Sequence, residues 1–158
     1  MLGVAPDDQV LEIGCGPGAA VSLVCDQLDN GQIIAIDRSA TAIKRASERN
    51  ADHVSSGKAV LHHLDLAALH LPGRRFDKVF AVNVSTFWLR PTGPEWSVVK
   101  EHLHGHGVLH LFYDTPAAGR ARQVAEAVRA ALSRHGFSST TTFSASELLF
   151  GVRAQLSG

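Results

Sequence analysis

The chain is poor in cysteine, tyrosine and methionine, and it has no surplus of either charge. Only Cys15 and Cys25 carry thiols, which excludes a disulfide-stapled scaffold. One sits in a glycine turn and the other on the helix expected behind it. Such positions suit a reduced interior, and the cytoplasm is the expected compartment. Fifteen lysine and arginine side chains cancel fifteen acids, so no general field draws in nucleic acid or an anionic membrane, and neither is expected as a partner. No apolar run is long enough to span a bilayer, and Met1 is not followed by a signal-peptide pattern. Repeats, low-complexity tracts and interdomain linkers are absent too. What remains is 158 residues, 45% of them apolar. That is one domain, 1–158, large enough to bury a substantial core without metals or disulfides.

Strand and helix patterns alternate along it, with short turns between. The apolar run from Val10 to Ile13 reads as a buried strand, followed by a helix from about Ala19 to Leu28. "QIIAID" is a second strand, after which Ser39 caps a helix to roughly Asn50 with Ile43 and Ala46 inward. "KAVLHHLD" and "FDKVFAVN" follow as strands. Pro94 and "EWSVVKEHL" suggest a short helix, ended by glycines 105 and 107. "GVLHLFYD" is the fifth strand. Thr115 and Pro116 open the longest helix, on which Ala121, Val124, Val128 and Leu132 recur at helical spacing until Gly136. "SSTTTFS" and "ELLFGVRAQL" have no helix between them and should close the chain as an antiparallel hairpin. Alternation of this kind implies a parallel sheet covered on both faces.

The chemistry concentrates in "VLEIGCGPG", Val10 to Gly18, where a strand falls into alternating glycines. Glycine accepts positive φ and, lacking Cβ, lets a ligand approach the backbone. Gly14, Gly16 and Ala19 satisfy the dinucleotide pattern G-x-G-x-x-G/A. The same run closely resembles the first motif of class I S-adenosylmethionine-dependent methyltransferases. Asp37 ends the next strand at the distance where either family binds ribose hydroxyls, so the turn alone leaves both open. The closing hairpin favours the methyltransferases, since a plain dinucleotide fold has no need of it. Tyr113, the single tyrosine, also lacks the lysine four residues on that a short-chain NAD-dependent oxidoreductase would want. The resemblance extends from Val10 to Leu156, with a small-molecule, type 11-like methyltransferase core. It implies a Rossmann-like, doubly wound α/β sheet of seven strands, ordered 3-2-1-4-5-7-6, with strand 7 antiparallel.

The resemblance also implies roles. Glu12, Gly14, Cys15, Gly16 and Gly18 line the amino-acid end of the cofactor, S-adenosyl-L-methionine, which leaves as S-adenosyl-L-homocysteine. Asp37 accepts from the ribose hydroxyls, unless it merely caps the helix beside Ser39. Asp65 accepts from the adenine amino group with Leu66 packed beside it; a plain cap on the turn 66–68 is the alternative. Arg38 lies along the adenine, or is only a solvated charge. Asn83 offers a backbone carbonyl to the methionine amino group. Phe87 and Trp88 are candidates to flank the acceptor, against an ordinary place in the core.

Methyl transfer from a sulfonium is an in-line displacement that needs alignment more than acid–base machinery, so no catalytic base is identified. "HGHG", His104 to Gly107, replaces the family's turn before the fifth strand and reads as a wet turn rather than a metal site. No Asn-Pro-Pro-Tyr-like segment follows the fourth strand, so methylation of an amide or an exocyclic amine is not expected, and a small molecule is the expected acceptor. A cofactor-binding module without turnover is the rival reading. Relatives usually carry a helix ahead of the first strand, where this sequence has only "MLGVAPDDQ". The crevice should therefore be open, with Leu2, Val4, Phe87 and Trp88 forming an apolar patch that favours a homodimer or a covering partner.

Overall fold

A computed structural model describes residues 2–158. Seven strands form one sheet: β1 (Gln9–Ile13), β2 (Gln32–Asp37), β3 (Ala59–His63), β4 (Phe76–Val82), β5 (Leu103–Asp114), β6 (Phe137–Phe143) and β7 (Leu149–Leu156). Their order is β3-β2-β1-β4-β5-β7-β6. β1 to β5 pair in parallel, whereas β7 runs antiparallel to both β5 and β6. The expected order and the reversed last strand are both present. Six helices connect the strands: α1 (Ala19–Cys25), α2 (Ala40–Arg49), α3 (Ala51–Ser55), α4 (Thr86–Leu89), α5 (Glu95–His102) and α6 (Ala118–Arg134). α3 and α4 are too short to carry a helical period and were not expected from the sequence pattern.

β1 shows how alternation divides the core. Leu11 and Ile13 point into one cluster with Val79, Leu109, Leu111 and the inward faces of α5 and α6, including Trp96, Val124, Val128 and Leu132. Val10 points the other way, into a cluster with Ile33, Ala35, Phe80 and the inward residues of α1 and α2. Leu2 and Val4 fold back onto this second cluster. Right-handed crossovers explain the split. The chain steps outward from β1 to β2 to β3 with its helices on one face. It steps the opposite way through β4 and β5, which places α5 and α6 on the other.

Helices therefore cover both faces, as expected, but unevenly. On the α1 side, the helices contact β2 and β3. Beyond them lies an open groove of about 620 Å³ against β4, β5, β7 and β6, lined among others by Val82, His110, Phe112, Leu149 and Arg153. The expected "HGHG" turn is corrected. α5 ends at His102 and the chain enters β5 at once, with a register shift opposite Phe76 and Lys78. His104 and His106 stack at 4.9 Å on the exposed strand. A residue-by-residue alternation of histidine and glycine fits an extended strand as readily as a turn.

Candidate active site

The carboxyl ends of β1 to β4 open into a cleft of about 260 Å³. Its walls follow the strand order. Leu64, Asp65 and Leu66 come after β3, Asp37 and Arg38 after β2, Gly14 after β1, and Asn83 to Thr86 after β4, with Glu95 joining from α5. Among the sequence candidates, Gly14, Asp37, Arg38, Asp65, Leu66 and Asn83 meet on this wall. Glu12, Cys15, Gly16, Gly18, Phe87 and Trp88 are outside its lining.

The glycine turn divides its labour. Gly14, Gly16 and Gly18 all have positive φ. A Cβ on Gly14 would fall 2.7 Å from Val84 Cγ2, whereas one on Gly16 would meet nothing within 4 Å. Gly16 therefore faces open space. Gly18 does not: a Cβ there would strike Asn50 Nδ2 at 2.7 Å and the Ala46 backbone at 2.9 Å. Its bareness serves the contact of α1 with α2. Asn50 locks that contact by donating to the carbonyls of Gly18 and Ala46, at 3.0 and 2.9 Å. Gly18 thus has a packing role in the contact of α1 with α2.

Asp37 ties the turn to the next strand. Its Oδ2 accepts from Gly16 N–H at 2.9 Å and its Oδ1 from Ser39 N–H at 2.8 Å. Ser39 caps α2 by accepting from Ala42 N–H. The capping and crevice-facing readings of Asp37 therefore coexist, because a carboxylate has about four lone-pair sites and these bonds use two. Asp65 likewise accepts from Ala67 N–H at 3.0 Å, capping a 3₁₀ turn, while remaining on the cleft wall. Asn83 holds a left-handed backbone, φ 57°, and its side-chain oxygen accepts from Asp114 N–H. Asparagine is among the few residues that tolerate this conformation.

Beneath the turn, Glu12 is 2% exposed, and its Oε2 has no hydrogen-bond partner. Burial, reinforced by nearby Asp37, pushes its carboxyl up to about 8, so the neutral acid persists at neutral pH. Burial, then Glu12 and Asp37, push the Cys15 thiol up to about 12. Cys15 and Cys25 are both free and buried.

The aromatic candidates are corrected as well. Phe87 is fully buried, edge-on to Trp96 at 5.1 Å, and belongs to the core. Trp88 packs against the same core with the Arg120 guanidinium 4.8 Å over its ring. The expected patch of Leu2, Val4, Phe87 and Trp88 therefore does not form. The one-turn helix α4 turns both rings inward, and the sequence did not reveal that helix. Ser85, Thr86 and Glu95 were missed. An acid opening a helix ordinarily reads as a favourable dipole contact, which hides its place on the cleft wall. Among the described residues, no group of three or more His, Cys, Asp or Glu is placed to hold a metal ion, and no helix is long and apolar enough to cross a membrane.

Comparison with known proteins agrees with this geometry. Residues 10–104 match the family model described as a methyltransferase domain. A tRNA1(Val) (adenine(37)-N6)-methyltransferase from Vibrio campbellii is 31% identical over 74 residues, which are 47% of this chain and 30% of that protein. The chain thus matches less than a third of the curated relative's length. The fold is shared with a SAM-dependent methyltransferase from Aquifex aeolicus (TM-score 0.79, 16% identity, 97% of this chain and 84% of that one). It is also shared with an S-adenosylmethionine-dependent methyltransferase from Clostridium acetobutylicum (TM-score 0.77, 14% identity, 98% and 86%). The glycopeptide N-methyltransferase MtfA complexed with sinefungin is a further neighbour (TM-score 0.78, 18% identity, 95% and 87%). With the glycine turn, the seven-stranded order and this match in agreement, the chain belongs to the class I S-adenosylmethionine-dependent methyltransferases.

Proposed function

We propose that this domain transfers the methyl group of S-adenosylmethionine to a small-molecule acceptor held at the β4 end of the cleft. The carrying observation is the Asp37 carboxylate, held by Gly16 and Ser39 at the mouth of β2 with lone pairs to spare. Three features fit an adenosyl ligand there. Gly16 leaves room for a close approach, Glu12 keeps an unpartnered buried oxygen beneath the turn, and Asp65 and Leu66 wall the β3 end.

When bound, the cofactor supplies an electrophilic methyl group on sulfur. The chain's own residues orient and exclude water. Asp37 accepts from the ribose hydroxyls. Asp65 and Leu66 hold the adenine, with Arg38 on the solvent side. Asn83, fixed by Phe112 and Asp114 at the end of β4, presents its backbone to the amino-acid end. Alignment of this kind supplies about 7–11 kcal/mol of a displacement barrier.

A small acceptor is supported by the balanced charge, fifteen basic against fifteen acidic residues, because binding to a nucleic-acid backbone needs a basic face. The segment after β4 is Asn83-Val84-Ser85-Thr86, without the prolines and aromatic that would grip a flipped base. Calorimetry with S-adenosylhomocysteine tests the cofactor site. Micromolar binding with no competition from millimolar NAD is expected. Competition by NAD would revive the oxidoreductase reading, and binding without turnover over a broad acceptor panel would favour a binding module.

A further inference from the structure

The β4 end of the cleft holds a carboxylate that the cofactor reading leaves unused. Glu95 opens α5 and lines the cleft beside Thr86, yet its side chain is only 1% exposed. Oε1 pairs with Arg90 Nη1 at 2.6 Å. Oε2 is buried without a hydrogen-bond partner. A buried carboxylate oxygen without a donor is costly, so such atoms usually mark a missing partner.

The surrounding turn is built to hold it. Gly93 N–H and Trp96 Nε1–H both donate to the Arg90 carbonyl, at 3.0 and 3.3 Å, which folds residues 90–96 into a tight loop. Trp96 then anchors the loop in the core, stacked on His135 at 5.0 Å. The carboxylate lies directly over Gly93, where a Cβ would overlap Oε2. Glu95 shares this cleft with Asp65, Asp37 and Gly14, but it comes from α5, an element to which the cofactor reading assigns no contact.

We propose that Glu95 is the acceptor-binding carboxylate and that the acceptor is an amine. The inference rests on the methyl-transfer reading above. Oε2 accepts a hydrogen bond from the acceptor N–H and so aims the nitrogen lone pair. That pair forms the N–C bond as the C–S bond breaks, and the C–S electrons remain on sulfur as a thioether. Nitrogen becomes positive and keeps its proton, which stays hydrogen-bonded to Oε2 until the ammonium product is released and gives it up to water. A buried carboxylate stabilises this developing charge, while Arg90, 58% exposed, is screened by solvent. A hydroxyl acceptor would need its proton removed during attack, whereas an amine keeps its proton through the bond-forming step and asks of Oε2 only a hydrogen bond.

Benzylamine, benzyl alcohol and toluene are suitable probes, titrated into nitrogen-labelled protein with and without saturating S-adenosylhomocysteine. Benzylamine is expected to shift the amide signals of Ser85, Thr86 and Glu95, with toluene and benzyl alcohol at least tenfold weaker. Glu95→Gln should weaken benzylamine at least tenfold and leave S-adenosylhomocysteine affinity within twofold. Gly93→Ala, which displaces Oε2 without removing the charge, should weaken benzylamine while the amide spectrum stays dispersed. Equal binding of the three probes, no benzylamine binding at roughly 10 mM, a concentration that would detect affinities weaker than millimolar, or unchanged benzylamine affinity in both variants would overturn the proposal. Failure of S-adenosylhomocysteine to bind the unmodified protein would instead sink the cofactor reading, and the titration without it still tests Glu95.

Discussion

Gly16 N–H donates to Asp37 Oδ2 at 2.9 Å, joining the glycine turn after β1 to the last residue of β2. One carboxylate thus sets the shape of the turn and lines the cleft. Asp37→Ala should weaken S-adenosylhomocysteine by about 1.5–3 kcal/mol, the worth of a hydrogen bond to a charged group. Because Gly16 and Ser39 lose their acceptor too, about 1–2 kcal/mol of stability should go with it. Calorimetry and urea denaturation measure the two losses. Unchanged affinity would remove Asp37 from the ribose contact.

Gly16 and Gly18 should respond oppositely to a side chain. Gly16→Val places its side chain in open space at φ 52°, so the fold should persist while S-adenosylhomocysteine binding is lost. Gly18→Ala drives a methyl into Asn50 and Ala46 at φ 80°. It should cost about 2–4 kcal/mol through overpacking and strain. Urea denaturation of both variants beside a binding titration separates them. Equal destabilisation would contradict the division of roles.

Two buried groups set opposing slopes of stability against pH. Glu12 holds its proton to about pH 8 when folded but releases it near 4.5 when unfolded. The native state binds more protons across that window, so stability falls as pH rises, by at most about 1.4 kcal/mol per pH unit. His110 is pushed down to about 4 from 6.5, chiefly by burial and then by Arg153. The unfolded state binds more protons there, so stability rises with pH. The slopes cancel between about 4.5 and 6.5 and leave a decline from 6.5 to 8. Glu12→Gln should abolish the decline and expose the rise below pH 6.5. Urea midpoints across this range are the measurement, and a decline that persists in Glu12→Gln would refute its origin.

The fold was legible where a physical period ran long enough. The apolar run of β2, the Ser39 cap and the α6 spacing all reappear at the expected residues. The turn chemistry was legible too, because positive φ leaves a glycine signature at 14, 16 and 18. A glycine does not disclose what its missing Cβ would meet, so Gly16 and Gly18 looked alike. Phe87 and Trp88 followed a strand end and looked like pocket residues, but a single helical turn carried them inward. Glu95 is the converse. Its place on the cleft wall depends on a loop closed by Gly93 and Trp96, contacts that no local pattern encodes.

The two tryptophans carry the last prediction. Trp96 is fully buried, stacked on His135, edge-on to Phe87 and 6.4 Å from Phe137. Its ring fills the junction of α5, α6 and β6, so Trp96→Ala should cost about 3–5 kcal/mol. Trp88 is half-buried, and its clearest single contact is Arg120 over the ring. Losing a cation–π contact of about 0.5–1 kcal/mol and part of a packed face should make Trp88→Ala cheaper, about 1–2 kcal/mol. With only these two indoles in the chain, fluorescence reports on each separately. Trp88→Phe should leave a blue-shifted, buried emission, and Trp96→Phe a redder one that an aqueous quencher reaches. If Trp88 instead sealed an interface between copies, its emission would shift red on dilution and Trp88→Ala would lower the sedimenting mass. Unchanged emission and mass on dilution is the outcome expected for a ring that packs within its own domain.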